Sequence, residues 1–153
     1  MMFDIIKTKG EIDPRHYGYS KLYSADSANK KIKLCNNLAE AANYKSQKML
    51  IMLKELDFDI GSLRVLGQQK KACLLFDLSK IIKSSGIRRS IELAKMRAAL
   101  KFCNKYGTLY TFATFAEDEP SIRNSHELIA ICMLLGINRG QAEFALKMLG
   151  HYL

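Results

Sequence analysis

The sequence predicts an all-α fold, a compact multi-helix domain with a C-terminal helix-turn-helix, on three observations. From Ser27 onward, apolar residues recur at three- and four-residue steps, the period of one helix face. Two N-capping patterns flank a glycine near the end of the chain, at Asn124 and Asn138. Only Thr108 to Ala116, rich in Thr, Tyr and Phe, has the composition of extended chain, and it is compatible with a short arm at 108–116.

Along the chain, residues 1–26 carry Gly10, Pro14, Gly18 and the tyrosines Tyr17, Tyr19 and Tyr23 without sustained periodicity. They read as an irregular N-terminal arm, either packed on the domain or exchanged in a dimer. Residues 27–153 read as one helical domain. Ile32, Cys35, Leu38, Ala39 and Ala42 define a first helix, and Met49, Leu50, Met52, Leu53 and Leu56 extend it or form a second. A further helix is expected from about Gln69 to Lys83, stopped by Ser84-Ser85-Gly86, and another from Ile87 to about Asn104, ended by Gly107.

The chain has 153 residues, of which 48% are hydrophobic and 25% charged, enough for one cored domain and too apolar for a disordered tail. Its longest apolar run, Leu128 to Ile137, is ten residues, against the roughly 20 that a membrane span needs. Met1-Met2-Phe3-Asp4 has no basic start before an apolar stretch, so no secretory signal is expected. Cys35, Cys73, Cys103 and Cys132 lie 38, 30 and 29 residues apart with apolar neighbours. That spacing suits reduced, buried thiols of a cytoplasmic protein rather than a metal or disulfide site.

The net charge of +9 is gathered in one stretch. Between Arg64 and Lys105 stand eleven basic residues against Asp77 and Glu92, while the rest of the chain balances 13 against 13. A neutral chain with one strongly positive segment is suited to a polyanion, because phosphate neutralisation releases condensed counterions. Lys80, Lys83, Arg88, Arg89, Lys95, Lys101 and Lys105 are the expected DNA phosphate contacts within basic helices spanning 64–105. A solvated lysine-rich face is the alternative, and an anionic membrane surface is disfavoured by the lack of Trp.

The C-terminal segment 124–150 carries the most specific local pattern. Asn124 with Glu127, then Asn138 with Gln141, repeat one capping arrangement around Gly136. Cys132 lies four before this glycine, Ile137 just after it, and Ala142 and Ala145 six and nine after it, where two crossing helices touch. Ser125 to Leu149 thereby resembles the helix-turn-helix transcriptional regulators of bacteria and their mobile elements. The resemblance implies that Asn138, Arg139, Gln141 and Lys147 contact DNA bases, Arg suiting guanine and Asn or Gln adenine. Glu143 and Phe144 depart from that pattern, and a helical hairpin closing the core or a dimer is the competing reading. The stretch Leu134-Leu135-Gly136-Ile137-Asn138 is also similar to part of the D subunit of the enterobacterial flagellar master regulator, a type that acts with a zinc-binding partner subunit. A second, more basic segment, Leu78 to Arg97, has a helix–turn–helix outline with Glu92 and Lys95 where apolar contacts belong. It reads as a phosphate-contacting element.

No phosphate-cradling glycine loop is present, and His16, His126 and His151 stand apart. His126-Glu127 reads as capping, Asp57-x-Asp59 as a turn, and Glu92-x-x-Lys95 lacks the second carboxylate of a nuclease. No enzyme, cofactor, catalytic residue or metal is expected. The function that follows is a DNA-binding transcriptional regulator with double-stranded DNA as partner, acting as a homodimer or with another regulator subunit and away from membranes. The alternative is a helical adaptor, chaperone or inhibitor that meets an acidic protein surface.

Overall fold

Met49 to Leu53 and Ala72 to Phe76 are apolar runs of five, as long as a buried parallel strand and too short for their periodicity to exclude one. In the computed structural model, which describes residues 1–153, both are strands, and the fold is mixed α/β rather than all-α. The chain runs β1 (Phe3–Ile6), β2 (Lys21–Ser24), α1 (Ala25–Asn29), β3 (Ile32–Cys35), α2 (Leu38–Ala42), β4 (Leu50–Leu53), α3 (Ile60–Gln69) and β5 (Cys73–Asp77). It continues with α4 (Ser79–Ile82), α5 (Gly86–Tyr106), β6 (Leu109–Ala113), α6 (Ser125–Leu134) and α7 (Arg139–Tyr152). The expected irregular arm therefore contains β1 and β2, and the expected first helices dissolve into β3, α2 and β4. The helix placed at Gln69–Lys83 is the end of α3, then β5 and α4. The segment compatible with an extended arm is β6, an inner strand.

All strand pairings are parallel. β1 pairs with β2, and β3, β4, β5 and β6 form a second sheet in that order, with Leu74 opposite Tyr110 and Phe76 opposite Phe112. β6 also reaches β1 through a bridge between Ala116 and Ile6 and a bond from Phe115 N–H to the Ile5 carbonyl at 2.8 Å. Apart from β2 and β3, consecutive strands are thus neighbours, and the last returns to the first. This is the order of a β/α barrel with one seam left open, between β2 and β3.

Strand side chains alternate between two apolar bodies. Ile51, Leu53, Leu74, Phe76 and Phe112 join Leu63, Leu66, Leu100, Cys103, Leu128 and Cys132 from the helices. Leu50, Cys73, Leu75, Ala113 and Ile5 form the other body with Ala25, Ala28 and Leu149. Helices α2, α3 and α5 pack side by side against the first. Gly67 of α3 comes so close to the turn after α5 that a Cβ there would lie 2.2 Å from the Tyr106 carbonyl oxygen. Only glycine allows that approach.

The two C-terminal helices form where the capping pattern places them. The Asn138 side chain accepts the Gln141 N–H, and the Gln141 side chain accepts the Asn138 N–H. α6 and α7 are bent by 120° at the intervening turn. Yet α7 is a packing helix of the α/β core. It lies on β6 and β1, the Thr111 hydroxyl donates to the Ala145 carbonyl at 2.7 Å, and Gly150 abuts the Phe3 ring. Its last residues run past the amino ends of the strands: Tyr152 Oη donates to the Lys71 carbonyl, and Lys31 Nζ to that of Leu153 at 2.9 Å. No single helix is long and apolar enough to cross a membrane.

Candidate nucleic-acid interface

In a parallel α/β fold the loops that leave the carboxyl ends of the strands share one edge, and ligands bind there. Here that edge carries many cations, with Asp26 after β2, Glu55 after β4 and Glu117, Asp118 and Glu119 after β6 among them. Lys7 and Lys9 follow β1, Lys54 follows β4, Lys80 and Lys83 follow β5, and Arg88 and Arg89 lie in the first turn of α5. Two clefts open on this edge. One of about 360 Å³ is lined by Lys54, Glu55, Leu56, Lys80, Glu92 and Lys95. The other, of about 520 Å³, lies between the ends of β1 and β2 with Lys7, Lys9 and Asp26 on its walls.

Few of these cations are neutralised. The chain has three ion pairs: Arg15–Asp13, Lys83–Glu117 at 2.7 Å and Arg139–Glu143 at 2.9 Å. The ammonium of Lys83 holds the Glu117 carboxyl below its usual range, and Arg139 does the same to Glu143. Lys7, Lys9, Lys54, Lys80, Arg88 and Lys95 are exposed and have no carboxylate partner. Positive side chains with no internal counter-ion raise the local potential and attract polyanions.

Of the seven expected phosphate contacts, all are exposed, and the structure separates their roles. Lys80, Lys83, Arg88 and Arg89 stand at the carboxyl edge, Lys95 lines its cleft, and Lys101 and Lys105 lie toward the other end of α5, a helix of roughly 30 Å. Arg89 is partly structural: its Nε donates to the Ile81 carbonyl at 3.1 Å and its Nη2 to that of Ile82 at 3.3 Å, closing the end of α4. Lys7, Lys9 and Lys54 escaped the sequence reading because they come from stretches whose charges balance. Only the strand order carries them to the same edge.

The expected base contacts lie at the opposite end of α5. Asn138 and Gln141 cap α7, Arg139 is paired with Glu143, and Lys147 is exposed. Asn138 and Gln141 line a cavity with Asn104 and Tyr110, near the amino end of β6. They do not form one groove-reading face with the rim cations. The second helix–turn–helix outline, at Leu78–Arg97, consists of the four-residue α4 and the start of α5.

Three of the carboxylates singled out in the sequence, Asp57, Asp59 and Glu127, have structural partners. Asp57 Oδ1 accepts the Leu38 N–H at 3.0 Å, Asp59 caps α3 through the Ser62 N–H, and Glu127 pairs with Asn124 at the start of α6. The four thiols are free and buried at separate positions, and burial pushes those of Cys103 and Cys132 up to about 12. At that value they are unreactive as thiolates near neutral pH.

No protein-family model matches the sequence, and no curated protein matches it. Among solved structures, the fold is similar to a chain of the cryo-EM structure of archaeal ribonuclease P with mature tRNA. The TM-score is 0.65 at 16% identity, over 97% of this chain and 78% of that one. That likeness concerns the fold, and with the α/β architecture it overturns the resemblance to helix-turn-helix regulators and to the flagellar D subunit. The assignment as an all-α, dimeric, DNA-binding transcription regulator falls with it, as do double-stranded DNA and a second regulator subunit as partners. The helical adaptor falls too, since the chain is a mixed α/β fold and not a helical bundle.

Proposed function

We propose that this chain is a non-catalytic RNA-binding component of a ribonucleoprotein that processes structured RNA of the tRNA class. The observation that carries the reading is the row of unpaired cations on the carboxyl edge of the α/β fold, at Lys7, Lys9, Lys54, Lys80, Arg88 and Lys95. The fold shared with a chain of a ribonuclease P–tRNA complex supports RNA as the polyanion. The rim cations supply positive charge and hydrogen-bond donors, which suits a subunit that positions RNA for chemistry carried elsewhere in the particle. The buried free thiols fit a reducing compartment, the cytoplasm.

The test is a binding isotherm against a transcribed tRNA precursor at two or more KCl concentrations. Each phosphate contact contributes about 0.7 to 0.9 to the slope of log K against log salt. A Lys54→Gln/Lys80→Gln/Arg88→Gln/Lys95→Gln variant should lose affinity and flatten that slope by roughly 3. An unchanged slope in the variant, or no binding by the wild type at low salt, rejects the proposal.

A further inference from the structure

The carboxyl edge accounts for the rim cations but not for the cavity at the far end of α5. That cavity measures about 440 Å³ and lies between the end of α5, the first residues of β6 and the first turn of α7. Its volume is within the range of sites that hold a small molecule. Phe144 forms one wall and is 60% exposed. The core does not require it there, because α7 buries Ala142, Ala145, Leu146 and Leu149 along a different stripe.

The polar walls have a defined sense. Asn104 Oδ1 accepts the Tyr110 hydroxyl at 2.9 Å, Asn138 Oδ1 accepts the Gln141 N–H at 2.8 Å, and Gln141 Oε1 accepts the Asn138 N–H at 3.0 Å. The backbone N–H donors fix the amide orientations of Asn138 and Gln141, and the NH2 groups of all three residues have no bond inside the chain. Three amide donors beside an exposed aromatic ring form a site for a flat ligand with acceptors along one edge. A nucleobase that bears a carbonyl group is such a ligand.

Charge extends the match. Asn104 also lines the neighbouring cleft of about 330 Å³, together with Arg97 and Lys101. Arg97 is anchored by its Nε to the Leu134 carbonyl at 2.7 Å, and neither cation has a carboxylate partner. A phosphate attached to a base in the cavity would meet this pair.

We propose that this cavity receives one unstacked base of a single-stranded RNA segment, cytosine, uracil or guanine in preference to adenine, stacked on Phe144 and donated to by Asn104, Asn138 and Gln141. The proposal rests on the RNA-binding reading above and adds a second, base-selective site to it. A protein side chain in the cavity is the competing occupant, and the three amide NH2 groups left without a bond inside the chain favour the base.

The test uses the full-length protein with homopolymeric oligo(rC) and oligo(rA), and with an oligo(rC) carrying one abasic position as control. Oligo(rC) should bind more tightly than oligo(rA). Phe144→Ala should weaken oligo(rC) binding by at least about fivefold, the lower end of what one base–aromatic stack contributes, while Phe144→Tyr retains it. The same Phe144→Ala loss should shrink on the abasic strand. In 1H–15N spectra, cytidine monophosphate should shift Gly107, Gly140 and the side-chain amides of Asn104, Asn138 and Gln141. Equal binding of oligo(rC) by wild type and Phe144→Ala overturns the base site and leaves the RNA-binding reading standing. So does a Phe144→Ala variant that keeps RNA affinity and loses a protein partner from the native particle. Failure of the wild type to bind any RNA at low salt overturns both.

Discussion

Lowering the pH from 7.5 to about 4.5 should strengthen one part of this fold, through Asp4 in β1. Its carboxylate is fully buried and accepts the N–H groups of Ile5 and Thr114, each at 2.8 Å, and the Thr114 hydroxyl. Those hydrogen bonds favour the charged form, but burial outweighs them and pushes the group up from 3.8 to about 6. Between those values the folded protein binds a proton that the unfolded chain does not. Stability contributed by this group is therefore greatest below pH 3.8 and is lost as pH rises through 6. At about 1.4 kcal/mol per pH unit, the whole excursion is worth about 3 kcal/mol. Asp4→Asn tests this directly, since its amide oxygen can accept the same two N–H groups while its NH2 donates to the Thr114 hydroxyl. Denaturant unfolding should find Asp4→Asn more stable than wild type at pH 7.5 by up to about 3 kcal/mol, with the two converging near pH 4. The wild-type reference cancels the opposite acid response of Glu117 and Glu143, whose carboxyls are held low by their cation partners. A gap that fails to narrow as pH falls, or an Asn variant weaker than wild type at pH 7.5, would refute the reasoning.

Two further outcomes follow from contacts elsewhere. Gly67→Ala drives a Cβ to 2.2 Å from the Tyr106 carbonyl oxygen and 3.1 Å from the Thr108 N–H. Both are backbone atoms that cannot swing aside, so a loss at the upper end of the 1–3 kcal/mol typical of overpacking, about 3 kcal/mol, should appear as a lowered Tm. Glu117→Gln releases Lys83 from its 2.7 Å partner and removes a negative charge from the cationic edge. It should raise tRNA affinity at low salt and steepen the salt slope, with the Tm nearly unchanged, as the pair is solvent-exposed.

The elements legible in the sequence are those whose signals are local. The long helix expected at Ile87–Asn104 is α5, Gly86–Tyr106, with Gly107 at φ 70° after it. The helices expected after Asn124 and Asn138 begin at Ser125 and Arg139. Capping and glycine stops act within one turn, so they survive any tertiary context. The strands were lost because their signal is not local. A parallel strand covered on both faces has no polar side to alternate with, and Leu50-Ile51-Met52-Leu53 then matches a piece of buried helix equally well. β1 and β2, at four residues each, were too short to stand out from an irregular arm.

The sequence by itself determined the surplus of nine positive charges, the buried character of the four cysteines, the glycine stop after α5 and the capped starts of α6 and α7, because composition and short-range bonding decide these. Tertiary structure alone decided which of the charges share an edge. Parallel pairing brings Lys7, Lys9, Lys54 and Lys80 to one edge although up to 73 positions separate them. It also turns α7 onto β6 and β1 instead of leaving it free to enter a groove. The physical reason is that hydrogen-bonded strand order, set by the burial of both sheet faces, fixes which loops meet, and nothing in the spacing of residues along the chain encodes that order locally.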